Sequence, residues 1–352
     1  MRILKLKKSD LFPFLEVISK ETELWAPLKK GEKYVFERVA DFSKIELKTT
    51  RTIIPPKKIM VPPTFNMFHV NETGYKEDFS HVTKKILFGV HPCDIHGLLI
   101  LDKLFVQEYP DPYYLGARKN TMILGLSCMP DEYCFCQSTR TNIIEEGYDL
   151  FFTDLETYFL VWIGSSQGDD LVRLAPGLFE ESLSDKDIQT YIRWQKVKEK
   201  AFKIEIDFIS MPDLVELKYK ASFWQKAGDA CLACGSCSMV CPTCNCYNVN
   251  DKLFLGKHPG KRIRLWDSCT LPEYSQVAGG ENFREHKSDR LKLWYTHKLQ
   301  AFVSKFGKPS CVGCGRCIAT CPVNINVKTI AQALEGEDVD AFWNRMSREV
   351  TK

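Results

Sequence analysis

The chain has no apolar run long enough to cross a bilayer; the longest, such as FLVWIG at 159–164, covers about a third of a span. Its N-terminus, MRILKLKKSDLFPFLEVISK, is basic but has neither an unbroken apolar segment nor a small-residue cleavage site, so no export signal is read there. Charge of one sign is also missing. In 352 residues, 48 Lys and Arg face 45 Asp and Glu, a net +3, which gives nucleic acid or an anionic membrane little electrostatic reason to bind. No GxGxxG fingerprint, Walker A loop or GxSxG elbow occurs, so a nucleotide pocket or a serine-hydrolase centre is unsupported. Repeat arrays and low-complexity tracts are absent too. These absences predict a soluble, cytoplasmic protein with no membrane span, no nucleic-acid partner and no catalytic residues of its own.

Cysteine is missing from the first 92 residues, yet the chain has 15, and eleven of them fall between Cys231 and Cys321. A disulfide scaffold does not fit a chain of this length without an export signal, so the clustered thiols read first as metal ligands. The first motif is Cys231-Leu-Ala-Cys234-Gly-Ser-Cys237-Ser-Met-Val-Cys241-Pro242, and the second is Cys311-Val-Gly-Cys314-Gly-Arg-Cys317-Ile-Ala-Thr-Cys321-Pro322. Both fit the C-x2-C-x2-C-x3-C-P run of [4Fe–4S] proteins, in which the fourth Cys ligates the other cluster. The short spacings let three thiolates wrap one face of a cubane, while the fourth, a helical turn on, points away. Cys231, Cys234, Cys237 and Cys321 are therefore assigned to one [4Fe–4S] cluster, and Cys311, Cys314, Cys317 and Cys241 to a second. A single CxxC would favour zinc; two complete copies with terminal prolines favour clusters.

Upstream, ILFGVH at 86–91 and TMILGLS at 121–127 are short apolar runs of the buried-strand type, and DIHGLLILDKLFVQEY between them has helical spacing. Together they read as a strand–helix–strand unit with its chemistry at the strand ends. LKKSDLFPFLEVISK predicts an amphipathic helix, residues 148–175 a pair of strands, and 182–206 a polar helix. TTRTIIPPKKIMVPPTFNMFHV, with four prolines, reads as extended edge strands and loops. The expected fold is an α/β domain over 1–210 followed by a mostly α-helical ferredoxin-like dicluster domain over 211–352. The helical expectation rests on the interval between the motifs, 311 − 241 = 70 residues. That is longer than in a compact bacterial ferredoxin and resembles the helical modules of fumarate-reductase-like iron–sulfur subunits.

The first domain holds one metal site's worth of thiols: Cys93 after one strand, and Cys128, Cys134 and Cys136 after the next. A parallel sheet would bring both loops to one edge, which makes a third [4Fe–4S] cluster the reading, with zinc or a set of inert packing thiols as alternatives.

GVHPCDIHGLLILDKLF, LGLSCMPDEYCFC, CPTCNCYNV, WDSC and VAGGENFR together resemble one family. It comprises the beta subunit of cytosolic NADP-linked nickel–iron sulfhydrogenases and the electron-transfer subunit of anaerobic sulfite reductases. The motifs span about 86 to 322, and the GVHPC and SCMPDEYCF loops are also similar to deazaflavin-dependent hydrogenase beta subunits. The resemblance implies an electron-transfer subunit with several [4Fe–4S] clusters, with Cys93, Cys128, Cys134 and Cys136 among the ligands. It further implies a flavin-bearing NAD(P)H reductase-like partner, on which FAD and NAD(P) are expected. The other partner would be hydrogenase small and large subunits, or a siroheme sulfite reductase subunit. The CxxC pairs of a nickel–iron large subunit are absent. A second reading is an oxidoreductase subunit that itself binds flavin or deazaflavin beside Cys93, and a third is a redox-sensing protein with labile clusters.

Cys244, Cys246 and Cys269 are left over and read as packing thiols or as groups that tune a cluster potential, with a further metal site as the sharper alternative. His91 and His96, which flank Cys93, read as packing or surface residues, with a hydrogen-bond donor to a ligand as the alternative; Lys261–Arg264 read as a solvated basic face, and Trp266, Trp294 and Tyr295 as cluster shielding or core. Arg316 is expected to raise a cluster potential or to meet an acidic partner.

Overall fold

The computed structural model describes residues 2–253, 260–338 and 343. The strands are β1 (Arg2–Lys7), β2 (Glu23–Lys30), β3 (Lys33–Arg38), β4 (Thr64–Asn71), β5 (Gly74–Glu77), β6 (Lys85–Val90), β7 (Thr121–Leu126), β8 (Leu150–Asp154), β9 (Tyr158–Ile163), β10 (Phe179–Glu180), β11 (Tyr247–Lys252) and β12 (Gly260–Trp266). They divide between two compact units, one made of residues 1–62 and 79–203, the other of 63–78 and 204–352.

Unit 1 is built on an eight-stranded sheet in the order β10-β1-β9-β8-β7-β6-β2-β3. Its centre, β2, β6, β7 and β8, is parallel. β6 and β7 are buried along nearly their whole length, which is why they read as unbroken apolar runs rather than alternating ones. On one face, helix α1 (Leu11–Ser19) buries Leu11, Phe14, Leu15 and Ile18 against Phe88, Phe152 and Phe159. On the other lie α2 (Pro92–Asp102) and α3 (Pro112–Lys119), with Ile95, Leu98, Leu101 and Tyr114 in a second core. The predicted hairpin is β8–β9, followed by α4 (Ser166–Arg173), a helix that a pair of strands over 148–175 does not include. The polar helix is α5 (Asp185–Lys200), opened by a reciprocal capping box between Ser184 and Asp187.

Unit 2 has a four-stranded antiparallel sheet, β11-β12-β4-β5, and short helices: α6 (Met211–Leu217), α7 (Phe223–Ala230), α8 (Ser236–Met239), α9 (Lys287–Thr296), α10 (Phe302–Phe306), α11 (Arg316–Thr320) and α12 (Val327–Glu335). The unit expected to be mostly helical also contains strands, because the interval between the cysteine motifs holds β11 and β12 before α9 begins. One boundary is corrected. Residues 63–78 belong to this unit rather than to the first, because β4 pairs with β12 from Thr64 to Val70. The stretch expected to be extended edge strands and loops holds a 3-10 turn at Pro56–Ile59. Its strand, β4, is interior to the sheet rather than at an edge, paired with β12 almost 200 residues downstream, where periodicity has no reach.

Helix α7 delivers Cys231 and packs against α9. The two approach so closely that a Cβ added at Gly228 would lie 2.6 Å from the Ser288 backbone nitrogen. Gly228→Ala should therefore lower the unfolding free energy by about 1–3 kcal/mol, as measured by anaerobic urea titration; a change within a few tenths would mean that the helices separate freely.

Candidate metal centres

The two C-terminal motifs fold alike. Ala233 and Gly313 occupy the same place in their loops and share a left-handed backbone, at φ +52° and +61°. Gly235 and Gly315 follow at +71° and +73°, each capping the short helix α8 or α11. Left-handed φ costs a side chain roughly 1 kcal/mol, so glycine stands at three of the four positions and Ala233 bears the strain.

Cys231, Cys234, Cys237 and Cys321 line one cavity. Its other walls are mostly apolar, from Leu291, Trp294, Tyr295, Val323 and Ile325. Backbone N–H groups of Ala233 and Ile325 each donate to a sulfur, Cys231 and Cys321 respectively, both at 3.3 Å. Burial, with the neighbouring sulfurs adding, pushes the Cys237 thiol up to about 12. Arg290, 4% exposed, fixes the surrounding loop by donating to the carbonyls of Thr270, Arg284 and Glu285. Thr270 is itself part of the cavity wall.

The other quartet is joined by a hydrogen-bonded hub. Thr243 Oγ1 donates to the Ser310 carbonyl at 2.6 Å, receives Lys298 Nζ at 2.7 Å and lies 3.2 Å from Cys241 Sγ. The hub ties Cys241 to the loop that starts at Cys311. Cys317 is held well above the ordinary thiol range by burial and then by Cys311, Cys314 and Cys241. Lys298 is buried in a π-helical turn (His297–Ala301). Burial opposes its charge, but Cys241, Cys244 and Cys311 outweigh that and raise its pKa.

In unit 1, a bulge in the β6–β7 pairing falls at Gly89, which has φ +81°, and re-aims the strand end just before His91 and Cys93. Cys93 lies in the first turn of α2, where the helix dipole favours a thiolate. Cys128 follows the neighbouring strand β7. His91 Nδ1 is 2.9 Å from the Leu126 carbonyl and Nε2 is 2.8 Å from that of Thr49. Two acceptors require two N–H donors, which only the imidazolium has. Burial works against that charge, but Cys128, the Leu126 carbonyl and Asp94 raise the His91 pKa to about 9. Reciprocally, and against burial, His91 and then Lys198 hold the Cys128 thiol down at about 7. Arg51 donates to Cys134 Sγ at 3.3 Å and pairs with Asp131 in the same loop. Cys134 and Cys136 are buried.

Among the described residues, no three His, Cys, Asp or Glu side chains are gathered as the shell of one ion. A cubane instead separates its ligand sulfurs by its own width, and four thiols around an apolar cavity, two of them accepting backbone N–H bonds, fit that group.

Residues 230–325 match the model of the 4Fe–4S dicluster domain. Sulfhydrogenase 2 subunit beta of Pyrococcus furiosus is 38% identical over 338 residues, covering 96% of this chain and 99% of the relative. The chain belongs to the sulfhydrogenase beta-subunit family. No solved structure matches it, and among the described residues no helix is long and apolar enough to cross a membrane.

In this family member, three cations stand beside sulfur without any motif to mark them. Arg51 is 83 residues from Cys134, and Lys298 is 55 from the Thr243 that joins it to Cys241, so spacing carries no signal. His91 is buried, as expected of a packing residue, and its ring also meets two backbone carbonyls beside Cys128. Trp294 and Tyr295 line the first cavity, as expected of shielding residues. Arg316 is buried. The basic run is not wholly solvated: Arg262 forms an exposed pair with Asp251, but Arg264 is buried, 3.7 Å over the Tyr247 ring. Cys246 is held down to about 6 by hydrogen bonds from Cys269 and Tyr274, so two of the three leftover thiols form a pair.

Thr243→Val keeps the volume of the hub but removes its hydroxyl. It should lower stability by about 1–3 kcal/mol, since it strands a buried ammonium and a carbonyl; an unfolding midpoint equal to the native one would show that the hub is dispensable.

Proposed function

We propose that this protein is the iron–sulfur electron-transfer subunit of a nickel–iron sulfhydrogenase, passing electrons between a flavin-bearing NAD(P)H-reacting subunit and the hydrogenase catalytic subunits. The carrying observation is the cavity lined by Cys231, Cys234, Cys237 and Cys321, three thiols from one motif and one from the other. That crossover is the ligand exchange expected of paired cubanes. Cys311, Cys314, Cys317 and Cys241 make the second ligand set, and Cys93, Cys128, Cys134 and Cys136 the third. When bound, the clusters supply one-electron redox chemistry.

The chain's own residues set the conditions for it. The backbone N–H groups of Ala233 and Ile325, the Arg51 guanidinium and the Lys298 ammonium stabilise the more negative, reduced state and so raise potentials. Trp294 and Tyr295 keep water from the first site. The hydrogenase side of the family is favoured by the name of the Pyrococcus relative. FAD and NAD(P) are assigned to a partner, since the chain carries no phosphate-binding glycine motif.

Anaerobically purified protein should contain about twelve iron and twelve acid-labile sulfide per chain, four for each of three cubanes. Cys134→Ser should lower both to about eight while leaving the C-terminal pair; unchanged iron would refute the N-terminal ligand set. The native complex should contain nickel, and siroheme in its place would move the protein to the sulfite reductase branch.

A further inference from the structure

Unit 1 has a cavity of about 290 Å³ with no cysteine in its lining. Five aromatic rings form a continuous wall. Tyr148 and Phe151 have centroids 5.4 Å apart, and Phe151 meets Trp162 at 6.3 Å. Trp162 then meets Tyr191 at 5.2 Å, and Tyr191 lies nearly parallel to Trp194, at 12°. The rings come from the β8–β9 hairpin, the segment before it and α5. Phe151, Trp162, Tyr191 and Trp194 are each only partly buried, although packing against one another would let such large side chains close over a core. They line a space instead of filling it.

The polar element of this wall is Lys198. It is 5% exposed and lines the cavity. Its Nζ donates to the Asn142 carbonyl at 2.7 Å and lies 5.2 Å from the Trp194 ring centroid. Among the described residues that carbonyl is its one hydrogen-bond acceptor, although an ammonium carries three donors. Its charge also acts on the neighbouring Cys128 thiol, but with a single acceptor its ammonium keeps donor capacity for an anionic oxygen in the cavity. Glu145 also lines the cavity, but it is exposed and solvated at the rim. Ser127 and Gln195 add neutral polar groups.

Apart from Tyr191 and Trp194, the neighbouring rings are tilted by 51°, 65° and 50°. The wall thus offers ring faces and edges, both of which suit an aromatic guest, and an ammonium selects an anionic oxygen at its edge. The volume is about twice that of a cavity known to accept benzene, enough for two fused rings and a carboxylate. We propose that this cavity binds a small planar aromatic anion, its rings against Trp162, Tyr191 and Trp194 and its anionic oxygen on Lys198 Nζ. Such binding does not depend on the electron-transfer reading and survives its failure.

The test uses the full chain with its clusters loaded, titrated calorimetrically with 2-naphthoate and with neutral 2-naphthamide. Saturable one-to-one binding of naphthoate is expected, at least tenfold tighter than that of the amide, a comparison that needs no variant. Lys198→Met should weaken naphthoate at least tenfold and leave the amide within about twofold, whereas Trp194→Leu should weaken both. The proposal is overturned if naphthoate shows no saturation at millimolar concentration. It is equally overturned if naphthoate and the amide bind alike, or if Lys198→Met leaves naphthoate binding unchanged.

Discussion

Gathering thiols in poorly solvated pockets, with Cys234 alone of the twelve at the surface, is the constraint on which the rest of the structure depends. A metal ligand must be a thiolate, yet burial opposes that charge at every site, as the thiols of Cys237 and Cys311 at about 12 illustrate. Neighbouring sulfurs make it worse, because each repels the next. Iron supplies most of the compensation, but the protein prepares for it. Lys298, Arg51 and His91 are cations set against sulfur, and the backbone around the thiols is held by groups that do not touch metal. Arg290 clamps three carbonyls, Thr243 joins two loops, and Gly228 lets α7 and α9 meet at backbone distance.

The two C-terminal motifs are near copies in sequence and backbone, but their surroundings differ. The cavity of Cys231, Cys234, Cys237 and Cys321 is walled by Trp294, Tyr295 and aliphatic side chains. The other quartet has the Lys298 ammonium and the Thr243 hydroxyl within reach of its sulfurs. Duplicated ligands in unlike dielectric settings give unlike potentials. A gradient can thus be built without changing a single ligand. The strained Ala233, standing where the second loop has Gly313, is a further difference between the copies.

Much of this is legible in the residues. The cysteine spacing alone foretells which four thiols share a cavity, because the C-x2-C-x2-C-x3-C-P geometry is local and its fourth residue must point away. The β6–α2–β7 unit is legible because buried parallel strands are apolar throughout and the helix between them repeats every three to four residues. What escapes is non-local. Arg51, Lys298 and Thr243 reach their sulfurs only through the tertiary fold, and an isolated Arg, Lys or Thr resembles any surface residue. The aromatic wall of unit 1 is invisible for the same reason, since Phe151 and Trp162 fall in the predicted strand pair and Trp194 in the predicted polar helix, and nothing in the sequence brings them together. Strand β4 is recognisable as extended, but its partner β12 is not, since pairing across such a separation leaves no periodic trace.

The excursion of residues 63–78 has an implication for how this architecture is inherited and made. The chain passes from one unit to the other and back before it settles in the second, crossing at residues 62/63, 78/79 and 203/204. Neither unit is a single stretch of polypeptide, so the cluster-bearing part cannot be cut out, swapped or fused as a cassette at one junction. During synthesis, β4 and β5 emerge long before the strand that receives them. They can pair with each other at once, but the other edge of β4 must wait for β12 while nearly the whole of unit 1 is completed. Any rearrangement that preserved the clusters had to carry this early ribbon along, and the two units are thereby bound into one heritable piece.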